Sequence, residues 1–129
     1  MIPKFRAYDG GSLCRMYSPS EVMVGDSDIW IFDEDSEGNE WIVNNDLTLM
    51  QSTGLKDKNG KEIFEGDIID YNGRKAVVKW HGSYASFIYM FVDELRSRNQ
   101  EWDPLYLAYM KCEIIGNIYE NPELVEVDQ

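Results

Sequence analysis

The feature that most constrains this chain is the pair of asparagine–glycine corners, Asn59-Gly60 and Asn72-Gly73, set among short apolar runs. Two successive residues at positive φ form the tight turn whose twist matches antiparallel strands, and Asn-Gly is the pair that adopts it at least cost. Around Asn72-Gly73, a two-residue loop pairs Tyr71 with Arg74, Asp70 with Lys75, Ile69 with Ala76 and Ile68 with Val77. Alternation then gathers Ile69, Tyr71, Ala76 and Val78 on one face. Asp70 and Lys75 face each other on the opposite side, an attraction worth about 0.2–1 kcal/mol. Between the two corners, Gly66 suits a left-handed or bulged bend, and Asp67 is able to bond neighbouring backbone. Such a bend followed by a hairpin starts a small, strongly curved barrel.

Similar punctuation recurs along the chain, while sustained helical periodicity is nearly absent. The pattern predicts strands over 5–9, 13–18, 28–35, 41–45, 62–71, 74–80, 84–91, 104–110 and 113–120. The segment 84–91 carries Tyr84, Phe87, Tyr89 and Phe91, apolar on both faces as in a strand covered on both sides. At most one short helix is expected, over 92–102 and closed by Pro104. The fold class is therefore mainly β. A small SH3-like curved barrel spans 50–120, residues 1–49 add N-terminal strands, and 121–129 form an acidic tail, all within one domain over 1–129.

Charge narrows the function classes. The formal net charge is -12, which repels phosphate backbones and anionic membrane surfaces and disfavours non-specific nucleic-acid binding. Nine acids and no lysine or arginine lie between Met16 and Leu55. Such a block is ordinarily a set of solvated turn tips. Its sharper reading is an acidic decoy that imitates DNA and occupies a host nucleic-acid-binding protein. The amino terminus has no secretory pattern, and no segment reaches the roughly 20 apolar residues of a membrane span, so a cytoplasmic location and no membrane partner are expected. Cys14 and Cys112 form no paired motif and are expected to be reduced, buried thiols.

No constellation argues for catalysis. With Gly60 as the invariant glycine of a calcium loop, the first and last ligand positions fall on Leu55 and Gly66, where carboxylates are required. The glycines at 54, 60 and 66 fit no phosphate-binding fingerprint. His81, the single histidine, reads as a turn residue after a strand, and with Cys14 and Cys112 it matches no zinc spacing. Asp33, Glu34 and Asp35 tempt as a metal cluster, but alternation turns Glu34 away from its neighbours. No cofactor or metal is expected, and a cryptic hydrolase or metal enzyme ranks last. Trp30, Phe32 and Trp41 flank the acidic block. Core packing explains most aromatics, yet Trp30 and Trp41 with Asp33, Glu34 and Asp35 form a candidate partner surface, since aromatic residues are enriched at interface cores.

Three blocks, MIPKFRAYD, LMQSTGLKDKNGKEIFEGDII and EIIGNIYENPEL, together resemble the YopX family of phage and prophage proteins. The resemblance implies a small, mainly β protein of a temperate phage or prophage, acting in a bacterial host cell, with no established biochemical activity. It brings no catalytic or ligand residues. The shared blocks look structural: Gly54, Asn59, Gly60, Gly66 and Asp67 shape turns, Gly116-Asn117 interrupts the last strand, and Asn121-Pro122 ends it. The leading expectation is a non-enzymatic, self-associating interaction protein, a homo-oligomer with a host protein as a further partner.

Overall fold

The computed structural model describes residues 4–11, 13–32, 40–95 and 101–126, and its chain falls into two compact units, Met1–Gln51 and Ser52–Gln129. In the first unit, strand β1 (Phe5–Asp9) pairs antiparallel with β2 (Arg15–Tyr17). A 3-10 turn at Pro19–Glu21 follows, then a three-stranded antiparallel sheet of β3 (Val22–Gly25), β4 (Asp28–Phe32) and β5 (Trp41–Val43). Strand β6 (Thr48–Lys56) begins in this unit, where Phe5–Tyr8 register against Gln51–Thr48. The core here is Ala7, Tyr17, Ile31 and Leu47, with Val22, Ile29 and Leu49 packed on it.

In the second unit, the end of β6 pairs with β7 (Glu62–Phe64) across the 57–61 turn. Strands β8 (Asp67–Tyr71), β9 (Arg74–His81), β10 (Ser86–Phe91), β11 (Asp103–Pro104) and β12 (Glu113–Asn117) form one sheet in the order β11-β10-β9-β8-β12. The protein is mainly β, with 3-10 turns and no α-helix among the described residues, and its sheet curls into a half-barrel. The inner face holds Ile63, Ile69, Ala76, Val78, Tyr89, Leu105, Ala108 and Cys112. Across the same sheet, Ile68, Val77 and Val92 meet Leu95, Ile118, Leu124 and Val125. Both faces of β8 and β9 are thus covered, which accounts for their near-continuous apolar runs.

The hairpin at Asn72-Gly73 has the expected register, and both loop residues take positive φ, 54° and 84°. Asp70 does lie opposite Lys75, but its carboxylate accepts the Gly73 amide at 3.0 Å and so serves the turn. Arg74 lies 3.6 Å over the Phe91 ring and donates to Asp93 at 2.8 Å. These contacts tie the hairpin to the 3-10 turn at Val92–Glu94.

Several expectations are corrected. Of the helix expected over 92–102, the structure shows one 3-10 turn at Val92–Glu94, while 96–100 lie outside the described residues. The strand expected over 104–110 is a two-residue bridge followed by a 3-10 turn at Leu105–Leu107 and further turns. The amides of Ala108 and Tyr109 bond to Leu105 O, and those of Lys111 and Cys112 to Ala108 O. Leu105, Ala108 and Cys112 therefore point inward at near-helical spacing while Tyr106, Leu107 and Met110 are exposed. Tyr84 leaves the strand for a 3-10 turn and is exposed. Cys14 is exposed rather than buried, because its short stretch before β2 carries it at φ 47° on the surface.

Candidate interaction surface

The charged stretch 53–69 around the first asparagine–glycine corner is the first place to look for chemistry, and its buried carboxylates, Asp57 and Asp67, accept backbone amides. Asp57 is 5% exposed. Its Oδ1 accepts the amides of Asn59 and Lys61, each at 2.9 Å, and its Oδ2 accepts the Ile114 amide at 2.9 Å. Burial works against its charge, but the amides of Ile114, Lys61 and Asn59 outweigh that and hold its carboxyl below the ordinary range. This bonding changes the turn. Gly60 has φ 81°, Asn59 is not at positive φ, and the Gly60 amide bonds to Asp57 O at 3.0 Å. The expected two-residue turn is instead a turn begun by Asp57 with a left-handed glycine after it, a common three-residue hairpin closure.

The neighbouring turn residues behave in kind. Gly54 takes φ 77° where the β6–β7 register slips, and Gly66 takes φ 88° with its amide on Val78 O and its carbonyl accepting from Ile118. Asp67, fully buried, accepts the Phe64 amide at 2.7 Å. Gly116 lies at a register shift in β12, where an added Cβ would sit 2.6 Å from Asn121 Oδ1. Asn117 is buried, with its Oδ1 accepting the amides of Tyr119 and Glu120 and its Nδ2 donating to Glu120.

His81 ends β9 with its ring 4.8 Å from Tyr84 and 4.9 Å from Trp102, while its buried Nδ1 has no hydrogen-bond partner. The three rings form one aromatic cluster, with Tyr84 and Trp102 5.1 Å apart. Cys112 lies in the core, where burial first and the Asp57 carboxylate second push its thiol up to about 11. Among the described residues, no group of three or more His, Cys, Asp or Glu comes together to hold a metal ion.

The exposed side of the β3-β4-β5 sheet is different. Register aligns Met23 with Trp30 and Trp30 with Val43, and in the next row Phe32 with Trp41. By alternation all five side chains share one face; on the opposite face Val22, Ile29 and Ile31 pack into the first unit's core, while Val24 and Ile42 on the two outer strands are themselves exposed. Met23 is 48% exposed, Trp41 38% and Val43 44%, with Trp30 and Phe32 half-buried beside them. Phe32 and Trp41 meet edge to face at 5.6 Å. An antiparallel sheet with one packed face ordinarily turns polar residues outward. Here the outward row is apolar, and its one charged register member is Asp28 at the end, held by Asn45 at 2.8 Å.

Trp30 and Trp41, singled out in the sequence, thus come together on one face, while Asp33, Glu34 and Asp35 lie outside the described residues. Val43 lies in the strand expected over 41–45 but was not singled out there, and Met23 was missed because Val22–Gly25 was not read as a strand. Its signal was weak: a four-residue apolar run ending in glycine, before an Asp-Ser turn at φ 53° and 66° that favours no ordinary sequence rule. Of the acids in the basic-free stretch, Glu21 is bound by Ser18 and Arg15, which hold its carboxyl below the ordinary range through the Ser18 amide first.

A family model described as YopX protein matches residues 4–126. The chain belongs to the YopX family. The crystal structure of protein EF1440 from Enterococcus faecalis is similar to this YopX-family chain at 28% identity and a TM-score of 0.63, over 98% of this chain and 99% of that one. Among the curated proteins compared with it, none matches. No helix among the described residues is long and apolar enough to cross a membrane.

Proposed function

We propose that this YopX-family chain is a non-enzymatic interaction protein of phage type, working in the bacterial cytoplasm through the outward face of β3, β4 and β5. The observation that carries the reading is the aligned apolar row Met23–Trp30–Val43 with Phe32–Trp41, left open to water. Large exposed apolar patches on a folded protein mark contact sites, because leaving them wet has no structural benefit. The polar residues of the second unit support it from the other side: Asp57, Asp67 and Asn117 are occupied by backbone amides and hold turns. Self-association is one form such contact takes.

The test separates a contact face from a core. In the triple variant Met23→Ser, Trp41→Ser and Val43→Thr, chemical unfolding should show a loss below about 1.5 kcal/mol. That bound allows for the Phe32–Trp41 ring contact and for near-neutral exposed sites. A loss above about 3 kcal/mol, the scale of core truncation, would mean that the face is packed by the chain itself and would end this reading.

A further inference from the structure

We infer that the occupant of this face is a basic polypeptide segment of a partner protein, one that sets apolar side chains against Trp30 and Trp41 and its cations against the surrounding acids. The inference rests on the reading of the face as a contact surface and names what fits it. Three observations select this occupant over a second copy of the chain.

The first is charge. The sheet lies within the stretch from Met16 to Leu55, which holds nine acids and no lysine or arginine. Asp26 stands in the β3–β4 turn, and Asp28 closes the apolar row on the same face. A second copy would bring the same acids against these, at a like-charge cost. A segment of lysines or arginines meets them favourably and is steered to the face.

The second is area. The five side chains offer roughly 300–400 Å² of accessible apolar surface, taking their exposure against the 150–250 Å² of an aromatic side chain. Two copies face to face would bury about 700 Å² of apolar surface, so reaching the ~1,200 Å² of total area at which stable interfaces begin would need a polar rim of about 500 Å² to pair as well, and the charges at that rim, Asp26 and Asp28, are acidic on both copies. A charged segment adds electrostatic attraction to the same apolar contact.

The third is shape. Strands spaced about 4.8 Å apart make a platform roughly 10 Å across, which at about 3.3 Å per residue seats about three residues of an extended segment. Its two aromatic anchors lie on neighbouring rows, so apolar residues at alternate positions of the segment reach both.

The experiment uses the full chain and three capped hexapeptides: alternating lysine and leucine, alternating glutamate and leucine, and alternating lysine and serine. Binding is read by tryptophan fluorescence and calorimetry at low and raised salt, with light scattering of the protein alone. The lysine–leucine peptide should bind at least tenfold more tightly than either control and weaken as salt rises. Met23→Ser with Trp41→Ser should cost it at least tenfold, with the circular dichroism of the protein unchanged. Equal binding of the glutamate–leucine peptide removes the charge argument. Undiminished binding to the double variant leaves only unspecific attraction to acids, and either result overturns the inference. A dimer that salt strengthens and the double variant abolishes would make a second copy the occupant: the inference falls and the contact-surface reading stands. Loss of folding in the variant would end both.

Discussion

Replacing Asp57 tests whether the charged loop at the Asn59-Gly60 corner is architecture. The Asp57 carboxylate accepts amides from Asn59, Lys61 and Ile114 at 2.9 Å each, joining the β6–β7 turn to the start of β12. A hydrogen bond to a charged acceptor contributes about 1.5–3 kcal/mol, and a buried amide left without one costs about 1–3 kcal/mol. The three bonds share one carboxylate and do not add fully, so Asp57→Ala should lose about 3 kcal/mol. With a urea m-value of about 1.5 kcal/mol/M for a chain of this size, the unfolding midpoint should fall by roughly 2 M, followed by far-ultraviolet circular dichroism. Asp57→Asn keeps one acceptor oxygen but turns an amide group toward a backbone N–H, and should lie between the two proteins.

The pH dependence carries a fixed sign. The folded-state pKa of Asp57 lies below the ordinary 3.8, so its contribution is complete above that value and is lost as pH falls through the folded pKa. The stability gap between the parent and Asp57→Asn should therefore be constant near neutrality and narrow below about pH 4. A loss under about 0.5 kcal/mol for Asp57→Ala, the scale of an ordinary surface change, would refute the account of this loop as a backbone-holding device.

Ala85 sits at φ 47° and ψ 45°, so Ala85→Gly should relieve a left-handed alanine and, after the glycine's larger unfolded-state entropy, raise stability by about 0.5–1 kcal/mol in thermal unfolding. Gly116→Ala should lower it by about 1–3 kcal/mol, because the new methyl meets Asn121 Oδ1, which already accepts the Asn117 amide at 3.2 Å. With a chromogenic disulfide reagent at mildly alkaline pH, one thiol, Cys14, should react quickly. Cys112, buried and with its thiol pushed up to about 11, should react only with unfolding, and two fast thiols would contradict that placement.

Local chemistry was legible wherever neighbours in sequence are also neighbours in space. The Asn72-Gly73 hairpin could be read to the register because turn type, alternation and the residues on both arms all lie within one short stretch. Asn59-Gly60 has the same letters and a different turn: Asp57 Oδ1 takes the Asn59 and Lys61 amides locally, while its Oδ2 reaches across to Ile114, a partner no local rule could supply. The strand Thr48–Lys56 was hidden by its polar residues and Gly54, and its pairing depends on β1 in one unit and β7 in the other. The aromatic run at 104–110 misled for the opposite reason, since its apolar residues suit either a strand or a turn of helix until burial chooses Leu105, Ala108 and Cys112.

By itself the sequence determined a β protein built from glycine-pinned corners and a stretch of acids that contains no lysine or arginine, since backbone sterics and formal charge are properties of the residues alone. Which apolar residues would be hidden was not so determined. Met23, Trp30, Phe32, Trp41 and Val43 are as hydrophobic as the residues of the core, and strand pairing left them on the side away from Ala7, Tyr17 and Leu47. A side chain's solvent exposure is decided by what the rest of the chain packs against it, and that exists only once the strands have met.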